Sequence, residues 1–346
     1  MDRFEIRRPD DWHVHFREGD MLRAVVPFTA QQFARAIVMP NLTPPVTDGA
    51  RARAYRDEIV AALPPDLGFK PLMTCYLTDE LDPAVMEEEV FTAAKLYPAH
   101  ATTNSAHGVT NITALHPVLE RMQDLGKPLL VHGEVADPEV DVFDREAVFV
   151  ERVLSGLRRD FPDLRIVLEH VTTADGVAFV EEAEGPTAAT ITPHHLVIDR
   201  NDLLVGGIRP HLYCLPIAKR RCHREALRRA AVSGNPRFFL GTDTAPHAVG
   251  DKESACGCAG IFCAPTALEV YAEVFDEEGA LDRLEAFASL NGPAFYGLPL
   301  NEERILLERC PTEVPGRITA SGNTILPFRA GEKLAWRIGR SRTSTD

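Results

Sequence analysis

The chain has 346 residues, 45% of them hydrophobic, which is enough for one large core of the size that a single barrel with insertions requires. Its formal net charge of -14 argues against nucleic acid or an anionic membrane as a partner, since both call for a basic face. Seven cysteines, an odd number scattered between Cys75 and Cys310, do not form a secreted disulfide framework and point to reduced thiols in a cytoplasm.

The opening residues, MDRFEIRRPDDWHVHF, offer no apolar signal segment, and no later run of about 18 apolar residues would span a membrane. Short apolar, β-branched runs follow at Trp12–Phe16, Ala36–Pro40, Pro71–Leu77, Phe91–Tyr97, Pro128–His132, Arg165–His170, Ala188–Thr192 and Phe238–Thr242. Helical patterning fills intervals between them, at Ile112–Leu125, Arg145–Arg159 and Lys219–Ser233. This alternation predicts parallel strands joined by helical crossovers, and eight such units close a (β/α)8 TIM barrel, an α/β fold. The predicted strands run into polar or Gly/Pro-rich stretches at His15–Gly19, Asn41–Asp48, His132–Asp137 and Thr242–Gly250, where the active-site loops of such a barrel belong. After Asn291-Gly292-Pro293 the pattern weakens. Residues 1–299 are therefore expected to form the barrel and residues 300–346 a C-terminal extension packed on it, with extended pieces near Thr324–Phe328 and Lys333–Ile338 and a fraying end from Gly339 to Asp346.

His13-Val14-His15 carries the first chemical signal. A two-residue period on a strand aims both imidazoles at one face, about 6.5–7 Å apart along the backbone, so both can reach one metal. The bland alternative is a polar, exposed alternation. His132, His170 and Asp243 fall at the ends of three other predicted strands, and imidazole with carboxylate suits zinc. Arg17, two residues beyond His15, is expected on the same strand face. Lys95, set among alanines on a buried strand, would bear a costly unpaired ammonium. Two solutions stand open: a buried salt bridge, for instance with Asp243, or reaction of the neutral amine with carbon dioxide to a carbamate that bridges two metals. Cys256-Gly257-Cys258, with Cys263 after it, lacks the C-x2-C spacing of a zinc knuckle. His194-His195 ends the seventh predicted strand, where neighbours face opposite ways, so both are left outside the metal site.

Taken in chain order, His13-x-His15-x-Arg17, Lys95, His132, His170 and Asp243 resemble the amidohydrolase superfamily with a binuclear zinc centre. DWHVHFREG, MPNLTPP, KLYPAHATTNSAHGVT, PLLVHGE, ITPHHL, VGGIRPHLYCLPI, GTDTAPH, CGCAG and NGPAFYGLP are more closely similar to the shorter, stand-alone bacterial class of dihydroorotases, over roughly residues 10 to 300. The resemblance implies two Zn2+ ions per subunit, bridged by a carboxylated Lys95 (N6-carboxylysine) and a hydroxide. His13, His15, Lys95 and Asp243 would hold the more buried ion, and Lys95, His132 and His170 the more exposed one. Asp243 would also be the catalytic acid-base group. Arg17, Asn41 and His247 would hold a substrate carboxylate, His132 would also touch substrate, and backbone groups of Leu215 and Ala259 would read the ring amide edge. Thr102 and Thr103 resemble a mobile loop that closes over substrate, although His100 stands where a small polar residue is expected.

The implied reaction is reversible closure of N-carbamoyl-L-aspartate to L-dihydroorotate in pyrimidine synthesis, by a cytoplasmic homodimer whose partner is this small molecule. Hydantoinases and allantoinases share the histidine pair, lysine and aspartate, so the metal ligands alone do not separate them. A catalytically silent barrel scaffold is the third reading, and the full set of ligand types weighs against it.

Overall fold

The computed structural model describes residues 2–320 and 322–339. Strand β1 (Arg3–Arg7) stands apart from eight further strands: β2 (Asp10–Val14), β3 (Arg35–Val38), β4 (Lys70–Tyr76), β5 (Phe91–Leu96), β6 (Leu129–Val131), β7 (Ile166–Leu168), β8 (Thr187–Ile191) and β9 (Phe238–Leu240). These eight form one sheet in sequence order, each paired in parallel with the next. Helices fill the crossovers, and the architecture is a (β/α)8 TIM barrel. All eight predicted strands are present. Each leaves the ladder one or two residues before its predicted end, because the residues at those ends turn away to form the rim.

Closure between β9 and β2 rests on a few bonds at the rim. Asp243 N donates to His13 O at 2.8 Å, and His15 N donates to Thr244 O at 3.0 Å. Below them the Asp11 carboxylate accepts from Thr242 N at 2.8 Å and from the Thr242 hydroxyl at 2.6 Å.

One residue from each strand fills the lower barrel: Trp12, Ile37, Leu72, Ala93, Leu130, Val167, Ala188 and Phe239. Trp12 stacks on Tyr296 at 4.3 Å between ring centroids. The helix Asn291–Tyr296 can seal this floor because Gly292 has no side chain, as a Cβ there would lie 2.0 Å from Trp12 Nε1. This layer sets what comes next, since side chains two residues further along a strand point to the same side. Lys95 follows Ala93, His132 follows Leu130, Glu169 follows Val167 and Thr190 follows Ala188. Strand β2 reaches the same level by a bulge, in which Trp12 and His13 together oppose Ile37 of β3.

The predicted helices are present as a turn and helix over Ile112–Leu125, a helical run over Arg145–Asp160 with a π-turn at Val150–Leu154, and Arg221–Ala231. Beyond residue 300 come β10 (Arg304–Glu313), a hairpin of β11 (Ile318–Ala320) and β12 (Asn323–Ile325), and β13 (Lys333–Ile338). Strands β1, β10 and β13 form an antiparallel sheet with β10 central, so the N-terminal strand pairs with the C-terminal segment. The extended piece expected at Lys333–Ile338 is β13, and that at Thr324–Phe328 overlaps β12. Strands β1, β10 and β11 were not expected from the sequence. In β10, Cys310-Pro311 interrupts the alternation, and Pro311 is tolerated because the pairing shifts register between Arg309 and Thr312. Of the expected fraying end, residues 340–346 lie outside the described residues. No helix among the described residues is long and apolar enough to cross a membrane.

The helix Ala267–Glu277 ties β13 to the barrel: Glu273 Oε2 accepts from Ala335 N at 3.2 Å, and Asp276 Oδ2 accepts from Trp336 Nε1 at 3.2 Å. Glu269 lies buried in this contact, and burial pushes its carboxyl up to about 7. The folded chain therefore keeps a proton that the unfolded chain gives up, and stability falls as pH rises from about 4.5 to about 7. Glu269→Gln removes the ionisation while keeping the shape, and should raise Tm more at a pH of about 8 than at about 5, with a ceiling of about 3 kcal/mol. Thermal unfolding followed by circular dichroism at the two pH values measures this, and equal shifts would refute it.

Candidate metal and substrate site

The rim of the barrel gathers His13, His15 and Asp243 from its first and last strand ends. Asp243 Oδ1 lies 3.3 Å from His13 Nε2 and 3.1 Å from His15 Nε2, and the two ring nitrogens are 3.3 Å apart. Alongside, His170 sits between His13 and His132, with ring centroids 5.0 and 4.9 Å away. Lys95 is fully buried, and its Nζ has no hydrogen-bond partner among the described residues. The salt bridge to Asp243, one of the two solutions open from sequence, is not formed. Instead Nζ sits 5.1 Å above the Tyr97 ring. His170 Nδ1 is likewise buried and unpartnered. Such orphaned polar atoms in a buried site call for a missing partner.

Electrostatics prepare these groups for a cation. Burial, then Lys95, lowers the His13 imidazole below its ordinary range. Burial and the nearby Arg17 push His15 well down, and burial and Lys95 do the same to His170. All three are neutral, the form in which imidazole offers a lone pair. Burial pulls Lys95 down to about 8 despite the opposing charges of Glu169 and Asp243, so a useful fraction of neutral amine exists near neutral pH. The Asp243 carboxyl is raised by burial against the pull of His13 and Lys95.

Three groups that the sequence reading passed over support this rim. Glu169 Oε2 accepts from His13 Nδ1 at 2.8 Å and from the Thr190 hydroxyl at 2.6 Å, which turns His13 Nε2 toward Asp243. Glu134 Oε2 lies 3.0 Å from His132 Nε2, with Lys219 Nζ 3.8 Å from its other oxygen. Tyr97 lines the pocket itself. A signal for Glu169 was present: it stands two residues after Val167, the same spacing that puts Lys95 above Ala93.

His13, His15, Arg17, Asn41, Thr102, Thr103, His132, His170, Leu215, Asp243 and Ala259 all border one pocket. The Thr102–Thr103 loop lies folded over it: the Thr103 hydroxyl donates to Ala259 O at 3.3 Å, and Asn41 Nδ2 donates to Thr103 O at 3.1 Å. Arg17 Nε donates to Pro246 O at 3.2 Å, and its Nη2 lies 2.9 Å from His247 Nε2. His247 Nε2 is also 3.0 Å from Ala259 O, and burial with Arg17 pushes this imidazole down to about 3. It is therefore neutral beside the guanidinium.

Two expectations need correction. Arg17 does not share a strand face with His15, because β2 ends at Val14 and Arg17 has a left-handed backbone with φ 64°. The turn still delivers its guanidinium to the pocket. His194 and His195 lie on a short helix, Pro193–Val197, so opposite strand faces do not explain their separation from the rim. They nonetheless do not line the pocket. Cys256 and Cys258, with sulfurs 3.5 Å apart, sit in the exposed loop leading to Ala259. His100, the departure noted in the loop that the resemblance takes as mobile, is exposed and has φ 63°. Of the six described non-glycine residues with positive φ, Arg17, His170 and Asp243 belong to the pocket, and His100 and Asn104 to its loop. Each costs on the order of 1–3 kcal/mol, strain that clusters where side chains must be aimed.

Comparison with known proteins agrees with this geometry. Residues 11–305 match the Amidohydrolase family. The dihydroorotase of Novosphingobium aromaticivorans is 66% identical over 337 residues, covering 96% of this chain and 97% of its own. The crystal structure of dihydroorotase from Campylobacter jejuni superimposes with a TM-score of 0.91 at 37% identity, over 98% of both chains. The dihydroorotase from Saccharomyces cerevisiae in complex with 5-fluoroorotic acid gives 0.90 at 34% identity, over 98% of this chain and 99% of that one. L-hydantoinase of Arthrobacter aurescens, at 16% identity and a TM-score of 0.78 over 97% of this chain and 83% of its own, shares the fold alone. With its barrel and its rim of imidazole and carboxylate donors, the chain belongs to the amidohydrolase family. Within that family it stands among the dihydroorotases, as a hydrolase of cyclic amides.

Proposed function

We propose that the chain catalyses the reversible, zinc-dependent cyclisation of N-carbamoyl-L-aspartate to L-dihydroorotate in de novo pyrimidine (UMP) synthesis. The observation that carries this reading is the Arg17 guanidinium, held by Pro246 and His247 at the edge of the metal-donor cluster, where it can fork a carboxylate. The ring acid bound by the yeast relative is a ligand of the same class. A cytoplasmic homodimer is part of the proposal and rests on the family likeness.

The rim residues fit two zinc ions. Their donors are imidazole nitrogens and a carboxylate, and Lys95 Nζ and His170 Nδ1 are buried without partners among the described residues. His13, His15, Lys95 and Asp243 would hold one ion, and Lys95, His132 and His170 the other. Lys95 would serve both after its neutral amine adds to carbon dioxide, giving a carbamate and releasing one proton. Zinc supplies, when bound, the acidity that makes water a nucleophile near pH 7 and the charge that polarises a carbonyl oxygen.

The chain's own groups do the remaining work. In ring opening Asp243 takes a proton from the attacking water and returns it to the leaving amide nitrogen. Ring closure reverses this, with the carbamoyl nitrogen attacking the side-chain carboxylate. Arg17, Asn41 and His247 hold the other carboxylate, while the backbone at Leu215 and Ala259 reads the ring amide edge. Thr102 and Thr103 close the pocket and limit water around the reacting groups.

Purified chain assayed with carbamoyl-aspartate, dihydroorotate, hydantoin and allantoin tests the reading. Turnover of the first pair is expected, and preference for either of the others would overturn it. Arg17→Lys should raise KM about 10- to 100-fold, equivalent to the 1.5–3 kcal/mol of a charged hydrogen bond, because a point charge cannot replace the planar fork. Zinc content should hardly change. Wild-type KM and kcat in this variant would remove Arg17 from substrate binding.

A further inference from the structure

A second cluster of metal-type donors lies outside the rim, at the end of β8. His194, His195 and Cys214 are 0%, 2% and 1% exposed, and their donor atoms all lie within 4.8 Å of one another. His195 Nε2 is 3.5 Å from Cys214 Sγ and 3.0 Å from Pro216 O, and Cys214 Sγ is 3.3 Å from that same oxygen. Tetrahedral zinc with bonds of about 2.05 Å to nitrogen and about 2.3 Å to sulfur would separate an N and an S donor by about 3.5 Å. The observed His195–Cys214 spacing of 3.5 Å matches.

A neutral hydrogen-bonded core accounts for part of this cluster. The Cys214 thiol and His195 Nε2–H can both donate to Pro216 O, with the Thr192 hydroxyl 2.8 Å from His195 Nδ1. It does not account for His194. That imidazole is fully buried, its ring centroid lies 4.5 Å from that of His195, and neither ring nitrogen has a hydrogen-bond partner among the described residues. One N–H and one lone pair therefore stand unsatisfied beside a thiol and a second imidazole. A cation would take the His194 lone pair together with the thiolate and the second imidazole, leaving one His194 N–H unpartnered. His195 Nδ1 would then donate to the Thr192 hydroxyl, which fixes Nε2 toward the ion.

We propose that His194, His195 and Cys214, with the Pro216 carbonyl as fourth donor, form a structural transition-metal site of the Zn2+ type, separate from the catalytic rim. One sulfur and two imidazoles select a borderline or soft ion over Mg2+ or Ca2+, which require oxygen. Binding breaks the S–H bond of Cys214 and releases its proton to solvent, so affinity rises with pH. The ion would join the helix after β8 to the segment carrying Leu215, which lines the pocket assigned to substrate by the proposed function. His194 also meets Phe328 of the C-terminal segment, with ring centroids 6.2 Å apart.

Cobalt distinguishes this site from the rim, because the rim donors include no sulfur and only a thiolate gives Co2+ a near-ultraviolet charge-transfer band. The full-length chain, stripped and reloaded with Co2+, is expected to show that band. Cys214→Ser should abolish it, whereas Cys256→Ser with Cys258→Ser should keep it. Elemental analysis of zinc-loaded protein should find one metal equivalent fewer in His194→Gln than in wild type, and His194→Gln also serves if Cys214→Ser fails to fold. The proposal is overturned if cobalt-loaded wild type lacks the band, if the band survives Cys214→Ser, or if His194→Gln retains every equivalent of metal.

Discussion

Lys95→Ala should lose most of its bound metal and nearly all of its activity. The side chain stands at the inward position of β5, fully buried, with its nitrogen unpartnered among the described residues and its pKa lowered to about 8. A lysine that served only packing would not need to sit close enough to His13, His15, His170 and Asp243 for its charge to act on each of them. If its carbamate bridges the two ions, truncation removes one ligand from each. Losing metal-derived stabilisation of even about 4 kcal/mol corresponds to roughly a 10³-fold fall in rate. Acetate or propionate should restore part of both metal content and turnover, since a short carboxylate can enter the space left by the side chain and present two oxygens. Density for an unmodified Lys95 in a fully metallated, active crystal would count decisively against this account.

Asp243→Asn should separate metal binding from proton transfer. The asparagine keeps the shape and one oxygen donor beside His13 and His15, but it cannot accept a proton near neutral pH. Appreciable zinc should remain while kcat falls roughly 10²- to 10⁴-fold, the range of a lost general acid-base group. Substrate binding should survive better than turnover. Hydrolysis requires the ionised carboxylate, so the wild-type rate should fall as pH drops through its titration. Burial raises that titration above the usual carboxylate range, and His13 and Lys95 oppose the shift. With metals bound, the acidic limb should report one coupled titration of Asp243 and the attacking water. A variant with full metal and near-normal turnover would show that the proton travels through another group. His247 would be the first to examine, although its pKa of about 3 makes it a poor acceptor.

Much of the barrel was legible in the sequence because its signals are local. Eight short apolar runs, each ending in polar or Gly/Pro-rich stretches, report eight strands with functional loops at their ends. The positions of His13, His15, Lys95, His132, His170 and Asp243 near those ends required no tertiary information. The rim loops and the C-terminal segment were less legible. Arg17 reaches the pocket through a left-handed turn, which no hydrophobic period announces. Strand β10 pairs with a strand from the opposite end of the chain and contains a proline, so its alternation is broken where the register shifts. His194 and His195 look like the end of a strand, yet Pro193 starts a helical turn there, with the Thr192 hydroxyl accepting from His195 N at 3.1 Å.

By itself the sequence determined the donor types, their order and their placement at strand ends. Only the tertiary structure decided which of them meet. Glu169 aims His13 across 156 residues of chain, and Asp243 joins the pair because barrel closure brings β9 against β2. A strand's alternation says which way a side chain points, but not what it faces. That depends on bulge, closure and backbone strain, which arise when all eight strands are packed around one layer of side chains.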